Sequence, residues 1–169
     1  MTELRRRVLV GAAATAALAG LGRARAQGEK AAAQAPEIAL RASDGQPVLA
    51  GAPTAKATWI DFWASWCTPC RLAFPWMNEM HDRHAGSGLR IIAVNLDRRE
   101  ADAQRFLQQW PARFALAFDA PAASARQMEV QAMPSSFLVA RDRRILLAHR
   151  GFRLEDRAEL EAAMRKALV

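Results

Sequence analysis

The chain of 169 residues holds two cysteines, and both lie in Trp66-Cys67-Thr68-Pro69-Cys70. Two thiols separated by two residues can close a disulfide within one helical turn and open it again. A bridge this local encloses too short a loop to restrict the unfolded chain much, so stabilisation is a weak reason for it. Exchange with another disulfide is the chemistry the spacing suits. The rival reading is half of a zinc site, which needs two further Cys or His ligands. The three histidines, His81, His84 and His149, form no second pair. No metal site and no cofactor is expected.

The flanking residues say how the pair is positioned. Thr58 to Trp63 reads Thr-Trp-Ile-Asp-Phe-Trp, a β-branched and aromatic run of strand type. After the cysteines, Arg71 to His84 carries apolar residues at 72, 76, 77 and 80, close to helical period. The pair therefore falls at a strand-to-helix junction, with Cys67 at or near the helix N-terminus. Free amide N–H groups and the positive end of the helix dipole favour a thiolate there, which makes Cys67 the expected nucleophile. Cys70, one turn further in, is expected to resolve the mixed disulfide. Pro75 removes the hydrogen bond to the Arg71 carbonyl and is expected to bend the helix. Asp61 stands out in the strand, because an ionised carboxylate is costly in an otherwise apolar segment.

The block Ile60-Asp61-Phe62-Trp63-Ala64-Ser65-Trp66-Cys67-Thr68-Pro69-Cys70 resembles the active-site segment of thioredoxins, and Met133-Pro134 resembles their cis-proline dipeptide. In detail the chain is more similar to the exported TlpA/ResA/CcmG branch of thiol–disulfide oxidoreductases. Phe62 to Cys67, Ile91-Ile92-Ala93-Val94-Asn95 and Met133 to Val139 follow that branch's order over about residues 36 to 169. The resemblance implies a cis-Pro134 against the disulfide, with the Met133 backbone pairing with substrate as an added strand. It implies that Trp66, Thr68, Pro69, Met133 and Pro134 contact substrate, and that the helix and strand of Arg99 to Phe118 form an insertion shaping the partner surface. Thioredoxins carry an acid behind the second cysteine that takes its proton; Asp61 matches it, and burial would raise its pKa toward neutrality. The exported branch instead often has Asn at that place and a Glu three residues after the second cysteine. Here those positions hold Asp61 and Ala73, so the proton acceptor is expected on the strand.

The N-terminus addresses the compartment. Basic residues at Arg5 to Arg7, an apolar run from Val8 to Leu21 and the small-x-small triplet Ala24-Arg25-Ala26 have the order of a signal peptide over residues 1–26. The paired arginines and weakly hydrophobic core favour the twin-arginine route over Sec, with a periplasmic destination and a membrane tether if the segment is kept. The full chain carries 24 basic and 17 acidic residues, a net +7. The first 26 residues contain five arginines and one acid, so nineteen basic and sixteen acidic residues remain, a net +3. A nucleic-acid role loses most of its support with that charge.

Residues 27–35 read as a polar tether and residues 36–169 as one domain. Glu37 to Leu40 and Pro47 to Leu49 flank Ser43-Asp44-Gly45 as an entrance hairpin. Arg90 to Leu96 reads as a buried strand, Arg99 to Trp110 as a helix, Phe114 to Phe118 as a strand and Ala122 to Met128 as a short helix. Ser136 to Ala140 and Ile145 to His149 pair as a hairpin, and Asp156 to Leu168 closes the chain as a helix. The expected fold is α/β: a thioredoxin-like three-layer arrangement, a mixed central sheet flanked by helices, with an αβ insertion between the active-site helix and the cis-Pro strand.

The Thr68-Pro69 dipeptide lacks the histidine that strong oxidants often place between the cysteines, which points to a reductase. By the family resemblance, its partners would be exported proteins bearing cysteine pairs, such as apocytochrome c or a respiratory oxidase subunit, and a membrane electron donor of the DsbD/CcdA type. It is expected to act as a monomer. A disulfide oxidase or isomerase shares the same motif. A copper-binding assembly protein is the non-enzymatic rival, with His149 as the third ligand, but such proteins usually place three residues between the cysteines.

Overall fold

In the computed structural model, residues 33–49 and 55–169 are described. The expected signal segment and most of the expected tether lie outside them. Seven strands and four α-helices follow in the order β1 (Ile38–Arg41), β2 (Pro47–Leu49), β3 (Ala57–Trp63), α1 (Cys70–His84), β4 (Leu89–Asn95), α2 (Glu100–Gln109), β5 (Ala115–Phe118), α3 (Ala123–Gln127), β6 (Ser135–Ala140), β7 (Ile145–Arg150) and α4 (Arg157–Ala167). The central sheet has the order β5-β4-β3-β6-β7, and β1 and β2 form a separate antiparallel pair. β3, β4 and β5 run parallel, while β6 and β7 are antiparallel to their inner neighbours. The sheet is mixed, and the sequence-predicted topology stands.

β3 occupies the centre, and all seven of its residues are buried. A strand hydrogen-bonded on both edges and covered on both faces must be apolar throughout, which accounts for the run of aromatic and β-branched residues. Its alternation divides two cores. Trp59 and Trp63 join the cluster of α1, α2 and α4, which contains Cys67, Cys70, Phe74, Met77, Phe106, Leu160 and Met164. Ile60 and Phe62 join the opposite cluster with Ile38 and Val48 of the first hairpin and with Ala125 and Met128 at α3. Asp61, between Trp59 and Trp63 in the alternation, therefore faces the α1 side.

The expected insertion is built into the core. Phe106 on α2 stacks on Trp63 at 4.7 Å and on Phe74 at 5.0 Å between ring centroids, and Phe114 meets Phe74 at 5.4 Å. Its strand, β5, closes one edge of the sheet. The first hairpin docks there: the Ser43 amide donates to the Leu116 carbonyl, and the Leu116 amide to Ser43 Oγ. α1 continues through Pro75, whose ring is exposed. The expected start of the domain at residue 36 falls inside an ordered contact. Ala35 N–H donates to the Arg143 carbonyl and Ile145 N–H to the Ala33 carbonyl, both at 2.8 Å, and Ala35 is buried. Residues 33–35 thus belong with the β6–β7 hairpin rather than with a tether.

Candidate active site

The chain leaves the sheet after Trp63 and reaches the cysteines through Ala64, Ser65 and Trp66. Cys67 and Cys70 are joined as a disulfide, with their Cα atoms 5.4 Å apart. Cys70 is the first residue of α1, so Cys67 lies just ahead of the helix. The first-turn amides there find partners in the turn itself: Arg71 N–H donates to the Thr68 carbonyl, and Leu72 and Ala73 N–H donate to that of Pro69. The Cys70 amide points instead at Cys67 Sγ, 3.3 Å away. On reduction the same N–H would face a thiolate, and the first turn contains no acidic side chain to oppose that charge. Cys67 keeps 3% of its surface in solvent and Cys70 none. Of the two, only Cys67 retains any solvent exposure.

Among the expected substrate contacts, Trp66 is 67% exposed, Thr68 is exposed and Pro69 half-buried. The Met133–Pro134 peptide is cis. Met133 is half-buried against the cluster that holds both cysteines, and Pro134 is buried. Beyond it the Pro134 carbonyl accepts the Gly151 amide at 2.7 Å, tying the start of β6 to the end of β7. Trp66, Thr68 and Pro69 flank the N-terminus of α1, and Met133 and Pro134 lead into β6, whose first residue, Ser135, pairs with Phe62 near the end of β3 that leads to the cysteines.

Asp61 is 1% exposed. Its Oδ1 accepts a hydrogen bond from Ser136 Oγ at 2.6 Å, whereas Oδ2 is buried with no hydrogen-bond partner among the described residues. Burial raises its pKa from 3.8 to about 7, and the Ser136 hydrogen bond partly offsets that rise. Desolvation dominates because the charged form has lost water and gained one donor in return. A carboxyl held near neutrality can both accept and release a proton under physiological conditions.

Three features of the site lie outside the active-site motif. Ser136 is read from sequence only as a strand residue. Asp97, 7% exposed, receives the Ser65 amide at 2.9 Å, Ser65 Oγ at 3.0 Å and Asn95 Nδ2 at 2.8 Å. It anchors the loop before Cys67 to the end of β4. Arg71 sits over the Trp110 ring at 5.1 Å, which joins the start of α1 to the end of α2. Asn95-x-Asp97 at a strand's end is a legible turn signal, but its partner Ser65 is supplied only by the fold. His149, the third ligand of the copper alternative, pairs with Asp156 Oδ2 at 3.2 Å.

Residues 30–164 match the family model Redoxin. The chain belongs to the Redoxin family. A crystal structure from Chlorobium tepidum, provisionally described as the thiol:disulfide interchange protein DsbE, is 43% identical in sequence to this redoxin. The match covers 82% of this chain and 97% of that one, with a TM-score of 0.76. The thiol-disulfide oxidoreductase ResA of Bacillus thuringiensis subsp. konkukian (strain 97-27) is 25% identical over 126 residues, 75% of this chain and 73% of that protein. StoA from Bacillus subtilis shares the fold at a TM-score of 0.61 and 19% identity, over 76% of this chain and 99% of that one. The redoxin described here is a thioredoxin-fold thiol–disulfide oxidoreductase related to the ResA and DsbE proteins. Proteins that bear cysteines are its class of substrate.

Proposed function

We propose that this redoxin is an exported protein disulfide reductase in which Cys67 attacks, Cys70 resolves and Asp61 takes the Cys70 proton. The observation that carries the reading is the asymmetry of the pair: the Cys70 amide donates to Cys67 Sγ, and Cys67 alone has solvent exposure. The Cys67 thiolate attacks one sulfur of a substrate disulfide, forming a Cys67–substrate bond and releasing the other substrate sulfur as a thiolate that takes up a proton. Cys70 then loses its proton to the Asp61 carboxylate and attacks Cys67. The Cys67–Cys70 bond forms, the Cys67–substrate bond breaks, and the second substrate thiol leaves. Two electrons have passed from the protein dithiol to the substrate disulfide.

Met133 and Pro134 would offer backbone to an extended substrate segment, and Trp66, Thr68 and Pro69 would form the exposed rim around Cys67. The reductase direction is supported by Thr68-Pro69, which lacks a histidine between the cysteines. Residues 1–26 have the composition of a signal peptide, with the twin-arginine route favoured. In a periplasmic compartment the oxidised pair would need electrons from a membrane donor of the DsbD/CcdA type, and apocytochrome c cysteine pairs are the substrates favoured by the likeness to ResA and DsbE. Trapping tests the order of attack. Cys70→Ser should accumulate a mixed disulfide on Cys67, and Cys67→Ser should accumulate none. Equal trapping by both variants would overturn the assignment.

A further inference from the structure

Beyond the cysteines and the acid, one row of side chains crosses the sheet on the α1 side. Asp61 on β3 lies directly opposite Ser136 on β6, and Ser136 lies directly opposite His149 on β7. Opposed residues of antiparallel strands project to one face, so the three share the side that holds the cysteines. Ser136 is 3% exposed and stands two residues after the cis-Pro134. Its hydroxyl donates to Asp61 Oδ1 and leaves Oδ2 unpartnered.

We propose that Ser136 is a positioning residue for the exchange reaction: by donating to Asp61 Oδ1 it reserves Oδ2 as the oxygen that takes up and returns the Cys70 proton. This inference rests on the reading of Asp61 as proton acceptor. The chemistry follows from the inventory of lone pairs. A carboxylate has two equivalent oxygens until a fixed donor distinguishes them. When Asp61 is protonated, Oδ1 is the carbonyl oxygen and still accepts from Ser136, so the hydroxyl does not reorient between the two states. The same bond favours the ionised form and holds the acid closer to neutrality than burial alone would. Because Ser136 belongs to β6, which begins directly after the cis-proline, the cis-proline turn and the residue that positions the proton acceptor share one element.

Within the row His149 is the other titratable group, and it pairs with Asp156 just before α4; on the α1 side, Cys67 and Cys70 belong to the same buried cluster as Trp59 and Trp63, the neighbours of Asp61 in the strand's alternation. β4 contributes Ala93, which does not titrate, opposite Asp61. None of these is altered in the variants below.

The test follows decay of the mixed disulfide between the reduced full chain and a cystine-containing peptide, by acid quench and mass spectrometry, from pH 5 to 9. Ser136→Ala and Ser136→Val, which both delete the donor, should move the midpoint of the decay rate about one pH unit to the alkaline side. At pH 7 the rate should fall by roughly five-fold, with the high-pH plateau retained, as the ionised fraction of Asp61 drops. Ser136→Thr, which keeps a hydroxyl in the shape of Val, should restore the midpoint. Titration of the Asp61 carboxyl by ¹³C NMR in each folded variant should move in the same sense, a shift that lost packing alone would not give. Unmoved midpoints in both deletions, with a profile still abolished by Asp61→Asn, would overturn the role of Ser136 and leave that of Asp61 standing. A wild-type profile in Asp61→Asn would overturn the reading of Asp61 itself, and this inference with it.

Discussion

Among single residues, Asp61 carries the sharpest consequences, because it is an ionisable group in the central strand. Its folded pKa lies above its value in the unfolded chain, so the native state binds the proton more tightly. Its contribution to stability therefore falls as pH rises from about 4 to about 7 and is flat beyond, by an amount on the order of 4 kcal/mol for a shift of this size. Asp61→Asn removes the titration, and thermal or denaturant unfolding should find the variant more stable than the parent above pH 7 and little different near pH 4. The same substitution should slow Cys70-dependent resolution while sparing the first attack by Cys67. A stability difference between Asp61→Asn and the parent that does not grow across that window would contradict the buried-acid account. The oddity of Asp61 was legible in the sequence as a charge among Trp, Ile and Phe. Its partner was not, since Ser136 lies 75 residues away and only strand pairing brings it to 2.6 Å.

At the scale of elements, reactivity depends on how the loop from Ala64 to Pro69 is held. Asp97 at the end of β4 accepts from the Ser65 amide and hydroxyl, and Cys67 N–H donates to the Ala64 carbonyl at 3.0 Å. Asp97→Ala would leave the buried Asn95 amide and the Ser65 backbone without their acceptor, at a cost of about 2–3 kcal/mol. The first attack on a disulfide should slow with it, whereas resolution by Cys70, fixed by α1, should change less. Phe106 tests the other support. It packs on Trp63 and Phe74 and precedes Trp110, on which Arg71 rests. Phe106→Ala should destabilise the protein by about 3–5 kcal/mol, read by chemical denaturation. Such a loss would mark α2 as part of the core; a change confined to substrate preference would mark it as a surface insertion. Periodicity located nearly every element, because buried strands and amphipathic helices have distinct repeats. It missed the ordered residues 33–35, whose polar, alanine-rich composition is that of a linker and whose order comes from pairing with a distant hairpin.

For the whole molecule, the parallel half of the sheet brings the ends of β3 and β4 to one edge, and the antiparallel half brings the cis-proline turn to the same place. The cysteines, the Asp97 anchor and the cis-proline turn lie at that end of the sheet, and Asp61 lies further back along β3. The topology was accessible from sequence because strands alternate with helices and end in a hairpin; the convergence of Asp97, Ser136 and Arg71 on the site was not, being a product of register and packing. In the proposed reading this assembly donates electrons to substrate disulfides. The decisive measurement is the reduction potential of Cys67/Cys70, equilibrated in the full chain against glutathione or dithiothreitol. A reductase should show a value near the thioredoxin scale, roughly −270 mV. A value approaching roughly −120 mV would contradict it and make the protein an oxidant of its substrates.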